Sequence, residues 1–575
     1  MAEATPDSVA YRLLAGLGAR GISTFLANAG TDFAPLIEAR ALGQARGATM
    51  PRFINVPHEQ TAVTVAHGAH LINGLPQVVG VHHTVGTANT VSAVMTASRE
   101  RIPLLLLAGR TPSTERGNVA SRDVIVHWGT DTFDQAALIR EYTKWDYELR
   151  DGQNIDDILD RALDIAMTAP RGPVYLTLPR EVLAAQAVAS IPAARPRAGA
   201  IGASANEMAI AQLADWLMAA QQPLIITSSA GRDASAPPAL AAIAEMAAIP
   251  VIEHYPRVVN LPEEHLFHAG FNPSQLVTAA DLIIVIDCEV PWLPRQVTPQ
   301  ANAKVAHIGA DPLYTRIPVR SFPVDLAIVS DTGAALQALS NALMQRHLSD
   351  TPAMTHRREL ARQRKQHQHK AIEDARHNHP ETTAIDFAWV SACVRDIVDQ
   401  DTVVLNEYGL NLSLTGFSQA QAFFSAGISG ALGWTMAAAL GVQMAAPNKT
   451  AIAVVGDGSY IFGNPVSCHY LAQAEHLPIV TVLLNNGGYA AVTRAVEVVY
   501  PDGVALQGPE TPLARFEPQP SYEGVAAACG AYSERVESRS ELPQRLQNAL
   551  NVARTQHRQV LLNVICQPKA HEETS

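Results

Sequence analysis

Short apolar runs ending on glycine, asparagine or aspartate recur along this chain, with stretches of helical spacing between them. Examples are PLLLLAG from 103, PLIITSSAG from 223, DLIIVID from 281 and AIAVVGDG from 451. A strand covered on both faces needs apolar side chains on both, so unbroken runs of this kind read as buried parallel strands rather than half-exposed ones. Parallel neighbours in turn require crossover helices. The pattern therefore predicts an α/β chain of doubly wound parallel sheets, with ligands bound where the carboxyl ends of the strands open into a crevice. At 575 residues the chain exceeds what one core supports, and three such blocks follow one another.

The first block, the 1–185 domain, closes with RGPVYLTLPREV and runs into an alanine- and proline-rich connection, AAQAVASIPAARPRAGAIGA. The second occupies 200–345. Residues 351–381, TPAMTHRRELARQRKQHQHKAIEDARHNHPE, are so rich in Arg, Gln and His that they read as an exposed linker, and the third block spans 385–568.

Composition narrows the classes. Nearly half the residues are apolar, 17% are charged and the formal net charge is −12, which carries no nucleic-acid footprint. Cys288, Cys393, Cys468, Cys529 and Cys566 form no C-x-x-C pair, so neither a disulfide frame nor a zinc site is signalled. The N-terminus, MAEATPDSVAYRLL, lacks a basic stretch followed by an apolar core, and no apolar run reaches membrane-spanning length. The expectation is a cytoplasmic protein that engages neither membrane nor nucleic acid.

The chemistry concentrates in the third block. AIAVVGDGSYIFG is followed, after one predicted helix, by LPIVTVLLNNGGYAAV, so two strand ends become neighbours. Gly456 and Gly458 allow a tight turn close to an anion, and Asp457 offers a hard oxygen to a divalent cation. The Asn486 side chain and the Gly488 carbonyl extend this to half an octahedron, which diphosphate oxygens and water complete around magnesium.

G-D-G followed by N-N at this spacing resembles the thiamine diphosphate fingerprint of the 2-oxo acid decarboxylase and acetolactate synthase superfamily, and the likeness extends over nearly the whole chain. It implies three domains: pyrimidine-binding, central and diphosphate-binding. It also implies thiamine diphosphate held through Mg2+ by Asp457, Asn486 and Gly488. One departure stands out: the 26 residues between Gly458 and Asn485 exceed the usual interval by about two, placed here around Phe462 to Pro465. Ser459 matches a diphosphate contact, and Tyr489 a position near the diphosphate. In VVLNEYGLNLSLTGF the usual hydroxyl residues are replaced by Gly409 and Leu410, leaving that work to backbone N–H groups. Within GALGWTMAAALGVQMAAP, Leu432 matches the apolar support that bends the cofactor, and the Gly430 carbonyl the acceptor for its amino group.

The resemblance also assigns the acid and the pocket. Glu59, in FINVPHEQTAVTVAHGAHLING, matches the glutamate that activates the cofactor. In VVGVHHTVGTANTVSAV, His82 stands at the pocket histidine of benzoylformate decarboxylases, judged by its placement relative to Glu59 and Asn89; it is favoured over His83. LANAGTDFAP offers Thr31 or Asp32 to the same pocket. SRDVIVHWGTDTFDQAALIREYTKWDYEL adds His127 and Gln135 as weaker candidates.

The implied reaction is decarboxylation of a pyruvate-like 2-oxo acid, with carboligation of the acyl carbanion to a carbonyl acceptor. A simple 2-oxo acid decarboxylase, a C–C lyase or hydrolase on a diketone or acyloin, and a non-catalytic cofactor-binding partner protein remain alternatives. FAD is not favoured, because EHYPRVVNLPEEHLFHAGFNPSQL carries no assignable flavin motif. The resemblance further implies a homodimer or homotetramer with active sites shared between subunits.

Overall fold

The chain was described from a computed structural model covering residues 7–151, 155–187, 196–346, 350–377, 384–508 and 510–566. Three parallel sheets follow one another. The first contains β1 (Thr24–Asn28), β2 (Arg52–Asn55), β3 (Gln77–Val81), β4 (Leu104–Arg110), β5 (Asp146–Glu148) and β6 (Val174–Pro179), in the order β2-β1-β3-β4-β6-β5. The second contains β7 (Pro223–Thr227), β8 (Val251–Glu253), β9 (Leu282–Ile286), β10 (Lys304–Gly309) and β11 (Leu326–Val329), in the order β11-β10-β9-β7-β8. The third contains β12 (Thr402–Glu407), β13 (Phe423–Ser425), β14 (Thr450–Gly456), β15 (Val480–Asn485), β16 (Tyr532–Val536) and β17 (Val560–Ile565), in the order β13-β12-β14-β15-β17-β16.

The first and third sheets share one winding, and in each the strand order reverses beside the first strand, where a crevice opens. The apolar runs are these strands. Every residue of β3, β7, β9 and β15 is buried, because helices cover both faces. Among the described residues no helix is long and apolar enough to cross a membrane.

The first and third blocks meet through two helices, Glu59–Asn73 and Trp434–Ala445. A Cβ on Gly68 would lie 2.0 Å from the Ala438 carbonyl oxygen, and one on Gly441 2.0 Å from that of Val65. The backbones touch where each helix has no side chain. Trp434 Nε1 then donates to His67 Nδ1 at 3.3 Å across the seam.

A charged knot joins the central block to both others. The Glu100 carboxylate, 2% exposed, accepts from Arg232 and, at 3.1 Å, from Arg257 Nε. Next to Arg257, Val258 forms a bridge with Phe424 of β13, at the edge of the third sheet. Each charge is paired, which makes its removal from water tolerable.

The segment expected as an exposed linker is a 26-residue helix, Pro352–His377, with one side docked. Met354, Arg357 and Ala361 lie on one stripe and are buried against the central block. Arg357 donates to the Ala247, Ala248 and Gln221 carbonyls at 2.8–2.9 Å, capping the end of the helix Ala236–Ala247. A few well-spaced apolar residues and one buried cation suffice to dock a helix that is polar in composition. Residues 188–195 of the proline-rich connection and 378–381 of the expected linker lie outside the described residues.

Gly68→Val should lower stability by about 3 kcal/mol, read from the denaturant midpoint, because the new side chain meets backbone that cannot turn aside. Burial pushes the His67 imidazole down to about 3. A histidine held neutral contributes stability that is complete above its unfolded value and declines as the pH falls below it, by up to about 1.4 kcal/mol per pH unit. His67→Gln, which keeps an acceptor for Trp434, should therefore flatten the fall of Tm between pH 7 and pH 5.

Candidate active site

β14 pairs with β15 so that Gly456 lies opposite Leu484, which sets Asp457 beside the turn that begins at Asn485. Asp457 is 1% exposed. Its Oδ1 accepts from the Gly458 N–H at 3.0 Å, while Oδ2 is buried without a partner among the described residues. Burial raises this carboxyl to about 6, against the pull of the Gly458, Gly487 and Gly488 N–H groups.

With its nitrogen inward, the Asn486 amide donates to the Gly488 carbonyl at 2.8 Å and to Asp457 Oδ1 at 3.1 Å; with its oxygen inward, three acceptors converge at those spacings. Adjacent ligands of an octahedral magnesium ion lie about 3 Å apart. The acceptor triangle and the orphaned carboxylate oxygen thus fit a hard divalent cation.

The surrounding turns are tightly built. A Cβ on Gly458 would lie 2.5 Å from the Tyr489 ring, which is itself edge-on to Phe516, so Tyr489 wedges the G-D-G turn from beneath. Ser459 is buried in the short helix Asp457–Phe462. The backbone N–H groups expected to replace missing hydroxyls are engaged elsewhere: Gly409 N and Leu410 N donate to Asn406 Oδ1 at 3.1 and 3.0 Å. That expectation is corrected, because a buried side-chain acceptor one turn upstream takes both donors.

Gly430 and Leu432 lie on the loop leading into the helix Trp434–Ala445. Glu407, 2% exposed at the end of β12, holds this loop by accepting from Gly433 N at 2.7 Å, Thr435 N at 3.0 Å and Thr435 Oγ1 at 2.9 Å. Gly433 adopts φ 79°, where a side chain would be strained. Sequence reasoning passed over Glu407. An acid at a strand end, well upstream in the chain from the loop it caps, leaves no local signature.

Glu59 opens its helix behind the cap His58, whose Nδ1 accepts from Gln60 N at 3.2 Å. Its carboxylate is 7% exposed and accepts from Asn89 Nδ2 at 3.1 Å. Gln60 Nε2 lies 3.5 Å from the Leu432 carbonyl, and Asn464 Nδ2 lies 3.4 Å from His58 Nδ1. Within a single chain, then, the turn bearing Glu59 abuts the loop bearing Leu432.

At the carboxyl ends of β1 and β3, His82 is partly accessible while His83 is fully buried beneath it, the rings 3.8 Å apart. Burial pushes His83 down to about 4. Asp32, not Thr31, pairs with His82; the exposed Thr31 has its Oγ1 3.4 Å from His127 Nε2. Gln135 faces the core, donating to the Gly109 carbonyl and Tyr175 Oη at 2.9 Å.

Comparison with known proteins follows the same division. Residues 8–138 match the thiamine pyrophosphate enzyme N-terminal TPP binding domain, 210–339 its central domain and 409–564 its C-terminal TPP binding domain. Benzoylformate decarboxylase of Pseudomonas aeruginosa is 25% identical over 95% of this chain and 96% of its own. Sulfoacetaldehyde acetyltransferase of Rhodobacter capsulatus is 25% identical over 87% and 85%. Acetolactate synthase large subunit of Lactococcus lactis is 23% identical over 89% and 85%. The solved benzoylformate decarboxylase of Polynucleobacter necessarius superposes with a TM-score of 0.77 at 18% identity, covering 98% of this chain and all of the other. The 4-hydroxybenzoylformate decarboxylase of Rhodococcus jostii gives 0.76 at 20% identity, covering 98% and 99%. Three domains matched in order, on a fold shared from end to end, make the chain a member of the thiamine diphosphate-dependent 2-oxo acid decarboxylase and acetolactate synthase superfamily.

Proposed function

We propose that this chain binds thiamine diphosphate through Mg2+ and decarboxylates a 2-oxo acid. The supporting observation is the convergence of Asp457 Oδ1, the Asn486 side chain and the Gly488 carbonyl at adjoining strand tips, with Glu59 entering beside the Leu432 loop. Bound thiamine diphosphate supplies an electron sink for the negative charge left when carbon dioxide departs. The chain's own residues place it and move protons. Asp457, Asn486 and Gly488 hold the cation, and Leu432 and the Gly430 carbonyl position the pyrimidine end. Glu59, shielded from water and steadied by Asn89, exchanges a proton with that ring.

His82, on the neighbouring strand end, meets the substrate with its accessible edge, where it takes up a proton and, as the imidazolium, serves as hydrogen-bond donor and proton source. The relatives that transfer an acetyl group or make acetolactate favour a second reading, in which a carbonyl acceptor replaces the final proton. Val119, Ile125, Trp128 and Phe133 are exposed on the loop beside His127, which supports a homo-oligomer whose second copy covers this rim.

Mixing the protein with thiamine diphosphate, Mg2+ and a panel of 2-oxo acids, and measuring carbon dioxide and products, tests the reading; no affinity for the cofactor would overturn it. Glu59→Gln should lose at least about 100-fold in kcat while still binding cofactor, whereas a non-catalytic binding protein would be unaffected. Asp457→Asn should weaken Mg2+-dependent cofactor binding, measured by calorimetry. In the unmodified protein, binding should weaken about tenfold per pH unit below about 6, as protons compete with the cation for Asp457.

A further inference from the structure

Asp32 and His82 are held together by more than the hydrogen bond between them. Asp32 lies at the end of β1 on the turn Thr31–Phe33, and His82 follows β3, the strand paired with it. Asp32 is 1% exposed, and its Oδ1 stands 2.5 Å from His82 Nδ1. Two glycines make the room. A Cβ on Gly109 would lie 1.3 Å from Asp32 Oδ2, and one on Gly30 2.0 Å from His82 Nδ1. Neither glycine has a positive φ, so backbone conformation does not account for them. What their missing side chains permit is this carboxylate and this imidazole, each in the space a Cβ would fill.

The remaining contacts leave the pair one free edge. Beneath it, the His83 ring lies tilted against that of His82, and His83 adopts φ 44°, a strained backbone for a residue other than glycine. His83 Nδ1 lies 3.4 Å from Thr130 Oγ1, while its Nε2 and Asp32 Oδ2, 3.7 Å apart, have no other partner among the described residues. An ionised carboxylate only accepts, so the nitrogen facing it carries the proton. His82 Nε2 is then left uncommitted on a side chain that is 23% exposed. The helix His83–Arg99 that starts here also carries Asn89, the partner of Glu59, so His82 and Glu59 are referenced to one rigid element.

We propose that Asp32 is the positioning residue for His82, fixing its Nδ1–H tautomer and ring plane so that Nε2 is presented to the substrate. Asp32 itself does not reach the substrate; Gly30 and Gly109 are small to admit the pair. The inference deepens the decarboxylase reading and rests on it for the word substrate, but its geometry can be tested separately.

15N-histidine NMR at pH 8, with the signal assigned by His82→Gln, reads the tautomer without turnover. The wild type should show His82 protonated on Nδ1, and Asp32→Asn, which retains an acceptor oxygen, should keep it so. Asp32→Ala should move His82 toward the Nε2–H form that free histidine favours. Gly109→Ala, which leaves the carboxylate intact but takes its space, should do the same. On a 2-oxo acid that the wild type turns over, Asp32→Ala should lower kcat about 100-fold and Asp32→Asn less than tenfold, with thiamine diphosphate affinity unchanged. The double variant Asp32→Ala/His82→Gln should be no slower than His82→Gln alone. Unmoved His82 nitrogen shifts in Asp32→Ala, additive losses, or stoichiometric Zn2+ uptake that Asp32→Ala abolishes would overturn the proposal; the last would make Asp32, His82 and His83 a cation site. Absence of thiamine diphosphate binding would sink the decarboxylase reading instead, and the tautomer measurement would still decide this one.

Discussion

The close crossing of the helices Glu59–Asn73 and Trp434–Ala445 sets the geometry from which the site follows. Gly68 and Gly441 let the two backbones touch, so side chains do not hold the helices apart and their start points are brought side by side. One start carries Glu59 and Gln60; the other is fed by the Gly430–Leu432 loop. Gln60 of the first block, next to Glu59, thus comes within 3.5 Å of the Leu432 carbonyl of the third. Larger residues at the crossing would force the two backbones apart, and the two halves of the candidate site with them.

Around this seam the chain spends conformational energy locally. His83, Tyr408 and Asn464 all adopt positive φ without being glycine, at a cost of order 1 kcal/mol or more each. All three border the candidate site: His83 under His82, Tyr408 after the Glu407 anchor, and Asn464 against His58. Hydrogen bonds and packing hold them there. Asn406 occupies two backbone donors, Glu407 holds the loop entering the helix, and the Glu100, Arg232 and Arg257 knot ties the central block to the first.

Burial divides the polar groups by task. His67 and His83 are driven neutral by desolvation and serve as packing and hydrogen-bonding elements. Asp457 is raised by the same effect and has one buried oxygen without a partner among the described residues. Asp32 keeps one oxygen bonded to His82, and its other faces only a neutral imidazole.

The parallel sheets were legible in the amino-acid sequence because a strand buried on both faces must be apolar along its length. The meeting of G-D-G with N-N was legible because β14 and β15 are adjacent in the sheet and separated only by the short helices Asp457–Phe462 and Pro465–Ala474, so chain order alone brings the two turns together. Tertiary structure decided what depends on elements distant in sequence. It paired Asp32 with His82, sent Glu407 to the Leu432 loop, assigned the Gly409 and Leu410 donors to Asn406 and docked a polar helix through Met354, Arg357 and Ala361. None of these leaves a periodic or compositional trace, since each is fixed by where a remote glycine, carbonyl or acceptor comes to rest once the three sheets have packed.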